Sequence, residues 1–182
     1  MALLSSSNST LLIIDIQQRL SPAIDGCQAL TETTLALLAG ARALSVPVLA
    51  TEQYPQGLGE TVAPVRAELK ADEILEKITF SAWGEPAFRR QMSALGRHQV
   101  VLCGTESHVC VLQTALDLQA NGYQVYLVVD AVGSRNAHSK ALAQQRLTAA
   151  GVTMVNKEMV LFEWLERAGT DTFRYISKTL IR

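Results

Sequence analysis

Runs of consecutive apolar residues, without polar alternation, are what this sequence repeats. Leu11 to Ile14, Val100 to Cys103 and Val125 to Val129 are each apolar on both faces of an extended chain. Such strands belong in a sheet covered on both sides, the usual setting of parallel strands. Val46 to Ala50, with Pro47 near its start where a missing N–H is tolerated, Glu73 to Glu76 and Gly151 to Val155 add three more short strands. Between them the apolar spacing turns helical. Leu30, Leu37, Leu38, Ala41 and Leu44 mark a helix over Cys27 to Leu44, and Val62 to Lys70 a shorter one. Pro86 opens and Gly96 stops a helix carrying Phe88, Met92 and Leu95, and Asn121-Gly122 closes one carrying Leu112, Ala115 and Leu116. Further helices are predicted over Ala137 to Ala149, Met159 to Arg167, and after Thr170, with Phe173, Ile176 and Leu180 on one face. Strand and helix alternate with no internal repeat, so residues 1–182 are predicted to form one α/β domain, a mostly parallel sheet with helices on both faces.

Composition excludes several partners. The 16 basic residues against 17 acidic give a net charge of -1, with no basic cluster to track a phosphate backbone, so nucleic acid is not expected. No apolar stretch approaches the ~18 residues of a membrane span. The opening MALLSSSNSTLLIIDIQ lacks the basic start of a signal peptide. The three cysteines, 27, 103 and 110, form no CxxC pair, which disfavours a disulfide framework or zinc site and fits a reducing, cytoplasmic setting.

The stretch VVLCGTESHVCVLQTALDLQANGYQVYLVVD, Val100 to Asp130, carries the chemistry. It reads as strand, turn, helix and strand. With Ser107 capping the helix, Cys110 falls in the first turn, where unpaired N–H groups and the helix dipole stabilise a thiolate and lower the thiol pKa from its usual ~8.5. The same N–H groups can hold a developing oxyanion.

Ligands of open α/β sheets bind beyond the carboxyl ends of the strands. Asp15 and Gln17 stand at one such end, Lys77 at another, and Cys110 just past a third. An Asp can take a thiol proton and later activate water, and a Lys can hold that Asp charged. Each residue has a plainer role open to it: a turn or cap for Asp15, a solvated charge for Lys77, an inert thiol for Cys110. Strand order decides whether they meet, and sequence pattern leaves it open. The Gly- and Pro-rich TEQYPQGLGETVAP places Glu52, Gln53 and Tyr54 as candidate pocket residues, and Ser81 and Trp83 as a candidate wall. His108 lies close to Cys110 in sequence but points elsewhere on a helix, and is read as a supporting or surface residue.

The segments LLIIDIQ, EKITFSAW and GTESHVCV resemble, in order, the signature blocks of the isochorismatase-like cysteine hydrolases, which include nicotinamidases and N-carbamoylsarcosine amidohydrolase. The resemblance implies a Rossmann-like three-layer α/β/α fold with a catalytic triad of Asp15, Lys77 and Cys110. It also implies a cis peptide between Thr105 and Glu106, and an oxyanion hole from the backbone N–H groups of Glu106 and Cys110. Nicotinamidases carry an Asp and two His after the second strand to hold a metal. Here none of the three His, 98, 108 and 138, lies in that passage, so no metal or other cofactor is expected. TEQYPQGLGETV instead resembles the metal-free isochorismatase-domain subgroup. The expected activity is hydrolysis of a small amide or related acyl substrate through a thioester, by a homo-oligomer whose C-terminal helix packs on a neighbour. A binding or scaffold protein retaining the fold and a reactive thiol is the alternative.

Overall fold

The computed structural model describes residues 2–181. Six parallel strands form one sheet: β1 Ser9–Ile14, β2 Val48–Gln53, β3 Ile74–Lys77, β4 Gln99–Thr105, β5 Gln124–Gly133 and β6 Thr153–Val155, in the order β3-β2-β1-β4-β5-β6. The chain winds outward one way from β1 through β3, returns to the middle at β4 and winds the other way. The crevice between the ends of β1 and β4 is therefore the topological switch point, where this architecture opens a site.

Helices cover both faces. α1 Cys27–Ala43, α7 Lys157–Leu165 and α8 Asp171–Thr179 pack on one side, where Leu37, Leu38, Leu161 and Trp164 meet Leu11, Ile13, Val101 and Val128. On the other side α4 Pro86–Leu95, α5 Leu112–Ala120 and α6 Ala137–Ala149 bring Phe88, Met92, Leu112, Leu118 and Leu147 onto Leu12, Ile14, Leu102 and Leu127. Alternate residues of each strand thus feed opposite cores, which is why the apolar runs show no polar alternation. Two short helices, α2 Pro55–Leu58 and α3 Ala63–Arg66, lie in the passage after β2.

Several boundaries differ from those read in the sequence. The helix expected over Val62 to Lys70 is the single turn α3, and the strand expected to end at Val129 continues to Gly133. The helix predicted from Met159 starts at Lys157, because Asn156 accepts from Met159 N at 2.8 Å and caps it two residues earlier. The C-terminal helix packs on its own chain rather than waiting for a neighbour: Ile176 is fully buried in the core of the α1 side, joined there by Leu180.

Candidate active site

The site is assembled by three strand ends. Asp15 follows β1 directly and turns the chain with φ +49°, a left-handed conformation that Asp tolerates better than most residues. Both neighbouring strands hold it there. Its N–H donates to Thr51 O at 3.1 Å, and its Oδ1 accepts from Thr51 Oγ1 at 2.7 Å. From the other side Thr105 Oγ1 donates to the Asp15 carbonyl at 2.6 Å. β4 can come this close because of Gly104: with φ +115°, a Cβ there would sit 2.0 Å from Ile14 O.

Lys77 ends β3 and is separated from β1 by β2, whose Gln53 is its register partner. The lysine reaches past that residue, and Nζ lies 2.7 Å from Asp15 Oδ2, both side chains having 1% exposure or less. That ion pair is the closest contact of Oδ2. The ammonium also donates to Gln53 Oε1 at 2.6 Å, Phe80 O at 3.0 Å and Thr79 O at 3.3 Å.

Cys110 sits in a π-helical turn, Ser107–Val111, that follows β4 and precedes α5. Such turns are uncommon and often fall at functional sites. The peptide before it, between Thr105 and Glu106, is cis. The thiol is 6% exposed and engages both Asp15 and Lys77. The strand ends thus bring Asp15, Lys77 and Cys110 together.

Two local expectations are corrected. Ser107 does not cap the helix: its Oγ donates to Gly133 O at 2.9 Å and ties the turn to β5. Nor is the thiol acidic. Burial, reinforced by the adjacent Asp15 charge, pushes Cys110 up to about 12, and Lys77 offsets this only in part. Burial likewise raises the Asp15 carboxyl above its usual range, against the opposing pull of Lys77 and the hydrogen bonds it receives. At neutral pH the resting thiol is therefore protonated.

The remaining predicted residues fall around this centre. Gln17 is fully buried and spends its amide on the loop after β2, donating to Gln53 O at 3.0 Å and Gly59 O at 2.6 Å and accepting from Gln53 N at 2.7 Å. Glu52 faces the same loop, where Oε1 accepts from Thr61 N, Thr61 Oγ1 and Arg66 Nη1 at 2.7, 2.7 and 2.8 Å. The Gln17 amide and Glu52 Oε1 are thus committed to protein partners. Glu60, the other carboxylate of that passage, also pairs with Arg66, at 3.4 Å. An arginine thus takes up both carboxylates of the passage in which nicotinamidases hold a metal. These donors do not fit a metal ion, and among the described residues no group of three or more His, Cys, Asp or Glu could hold one.

Tyr54 is 53% exposed beside α2, its ring folded over Gly57. Ser81 donates to Asp117 Oδ2 at 2.5 Å, and Trp83 packs edge-on against Phe88 and Tyr123, 6.4 and 5.6 Å between centroids. His108 Nδ1 lies 3.0 Å from Ser134 Oγ. Glu106, just before the π-helical turn, is held by Arg135, two residues beyond β5, at 2.9 and 3.2 Å. Thr51 and Arg135 were not among the residues expected at the site, and Thr105 was expected there only for its peptide bond to Glu106. Thr51 and Thr105 carry a usable signal, a hydroxyl at the polar end of an apolar strand, whereas Arg135 had none. A concavity of about 550 Å³ opens at the amino-terminal ends of β2 and β3, between Val46, Glu73 and Leu95, and the thiol is not in its lining.

The model of the isochorismatase domain matches residues 9–159, a span that contains all three strand-end residues. The chain belongs to the isochorismatase family. It is 36% identical over 178 residues to isochorismatase domain-containing protein 2 of Danio rerio, covering 97% of this chain and 89% of that protein. A Caenorhabditis elegans structure described as MAR1 ribonuclease superposes with a TM-score of 0.93 at 32% identity, covering 100% of this chain and 93% of that one. The Escherichia coli YcaC gene product, described as an octameric hydrolase of unknown specificity, superposes with a TM-score of 0.87 at 23% identity over 92% of this chain and 84% of that one, and this likeness speaks to the fold. Membership makes this chain an isochorismatase-family hydrolase.

Proposed function

We propose that this hydrolase cleaves a small amide or related acyl substrate through a thioester on Cys110. The observation that carries the reading is the meeting of a thiol, a carboxyl group and an ammonium at the switch point of the sheet, with the carboxyl and ammonium 2.7 Å apart. A resting thiol at about 12 is compatible with this chemistry when its proton has a receiver in contact. Asp15 takes the proton as sulfur attacks the carbonyl carbon, so thiolate is formed only when it is used. Negative charge then develops on the carbonyl oxygen, where the backbone N–H groups of Glu106 and Cys110 are assigned to receive it. The Asp15 proton passes to the leaving amine as the carbon–nitrogen bond breaks. Water, deprotonated by Asp15, attacks the thioester, and the acid leaves as sulfur recovers the proton. One amide and one water give one acid and one amine. Lys77 balances the negative charge that alternates between Asp15 and sulfur.

The described residues contain no helix long and apolar enough to cross a membrane. Three free cysteines support a reducing, cytoplasmic setting. The octameric description of the Escherichia coli neighbour supports a homo-oligomer. The ribonuclease description of the Caenorhabditis elegans neighbour raises a second reading, phosphodiester cleavage. A net charge of -1 argues against it, because RNA binding draws on concentrated positive charge. A panel of small amides and esters, with an RNA oligonucleotide alongside, tests the assignment. Release of amine or alcohol by wild type and not by Cys110→Ala is the expected result. Full turnover in Cys110→Ala, or cleavage of RNA alone, overturns it.

A further inference from the structure

Lys77 carries three donor hydrogens and has, besides the Cys110 sulfur, four oxygen atoms around it, all within the protein: Asp15 Oδ2 at 2.7 Å, Gln53 Oε1 at 2.6 Å, Phe80 O at 3.0 Å and Thr79 O at 3.3 Å. No donor remains for a ligand. The shortest of these contacts comes from a neutral side chain that is itself 8% exposed and held at every polar atom. Gln53 Nε2 donates to Ile78 O at 2.8 Å, which orients the amide with its oxygen on the ammonium. Its backbone N–H and C=O are both taken by the Gln17 amide, at 2.7 and 3.0 Å, and Gln17 is in turn anchored on Gly59 O at 2.6 Å. Gln53 is therefore the most firmly placed of the neutral groups that face Lys77. The two others, Thr79 O and Phe80 O, belong to the loop after β3 and draw the ammonium to their own side.

We propose that Gln53 is a positioning residue of the hydrolase site, whose amide oxygen holds the Lys77 ammonium against Asp15 and makes it a fixed counter-charge rather than a donor to substrate. This rests on the reading of Cys110 as the nucleophile. The ionisable groups facing the pair are Cys110 from the catalytic turn and Glu85, whose carboxylate is bound to Ile78 N and Thr79 N at 3.0 Å each. Without Gln53 the ammonium moves toward the loop carbonyls, Asp15 loses part of the charge that favours its ionised form, and the carboxylate needed as base is populated only at higher pH.

The probe is p-nitrophenyl acetate, whose burst of p-nitrophenolate reads acylation of Cys110, measured across pH for wild type, Gln53→Met and Gln53→Glu. Met matches Gln in length and supplies no oxygen. Its expected effect is an acid limb displaced upward by about one unit, with a roughly ten-fold slower burst on that limb and an unchanged KM. Gln53→Glu keeps an acceptor but sets a second carboxylate in competition for Lys77, and its acid limb moves further in the same direction. A Gln53→Met profile that superposes on wild type overturns the role of Gln53 while leaving the nucleophile intact. A wild-type burst that persists in Cys110→Ala overturns the thioester reading and the Gln53 role with it. Loss of cooperative unfolding in both Gln53 variants assigns the residue to the fold and also overturns the proposal.

Discussion

Lys77→Met removes the cation from a pair that is otherwise sealed from water, and its cost should depend on pH. The charges stand 2.7 Å apart with side-chain exposures of 1% and 0%. At an effective dielectric of about 20 such a pair attracts by about 6 kcal/mol, much of which offsets the desolvation of both ions. Deleting one partner of a buried pair costs about 3–5 kcal/mol, chiefly because the other charge is left behind. Asp15 escapes that penalty by taking up a proton. Its folded pKa is already raised in the wild type by burial, and loss of Lys77 raises it further. For an acid shifted upward on folding, the associated stability is fully present below the unfolded pKa of about 3.9 and is lost as pH rises through the folded value. The destabilisation of Lys77→Met should therefore be smaller at about pH 5 than at about pH 8, its titrating part bounded by the about 3–5 kcal/mol of a broken buried pair. The lost hydrogen bonds to Gln53, Thr79 and Phe80 add a constant that does not titrate. Urea unfolding of both proteins at the two pH values isolates the titrating part. Adding Asp15→Asn to the variant should abolish the pH dependence. Equal destabilisation at the two pH values would refute the claim that an ionised Asp15 depends on Lys77.

Three further outcomes follow from the same geometry. Gly104→Ala must place a methyl 2.0 Å from Ile14 O at φ +115°, so β1 and β4 are forced apart beside Asp15; a loss of at least about 3 kcal/mol in thermal unfolding is expected, and a change below about 0.5 kcal/mol contradicts the packing. Cys27, the partly exposed thiol, should label with iodoacetamide in the native protein, whereas Cys103, fully buried and pushed up to about 12, should label only after unfolding, as peptide mapping would show. Arg135→Ala leaves the Glu106 carboxylate, 7% exposed, without its guanidinium; about 1 kcal/mol of stability should be lost at low salt, and 1 M salt, by screening the half-solvated pair, should shrink the difference between the two proteins.

The sheet was legible because strands buried on both faces must be apolar throughout, and Leu11 to Ile14 and Val100 to Cys103 say so without help from context. Parallel pairing followed from the helices between them. What pattern could not supply was strand order, and with it the meeting of Lys77 and Asp15 across β2. The helix start near Cys110 was legible, but its form was not: the Ser107 hydroxyl has a tertiary partner in Gly133 O, 26 residues away, that no local rule anticipates. The thiol's pKa was misjudged for a related reason. A helix N-terminus lowers a thiol pKa where water can reach it, and here 6% exposure and a carboxylate neighbour outweigh the turn. Gln17 and Glu52 were visible as polar residues at strand ends, yet whether such a residue faces a ligand or its own loop depends on hydrogen bonds made far along the chain.

Acyl transfer to sulfur is the step on which the account stands. Rapid acid quench of the protein with p-nitrophenyl acetate, and then with any small amide it hydrolyses, followed by peptide mapping by mass spectrometry, reads that step directly. The account predicts an acyl mass on Cys110 and on no other residue, formed before product reaches steady state and slowed in Asp15→Asn. Product release with Cys110 unmodified at every quench time, or with the acyl group on Cys27 or Lys77 instead, would contradict it.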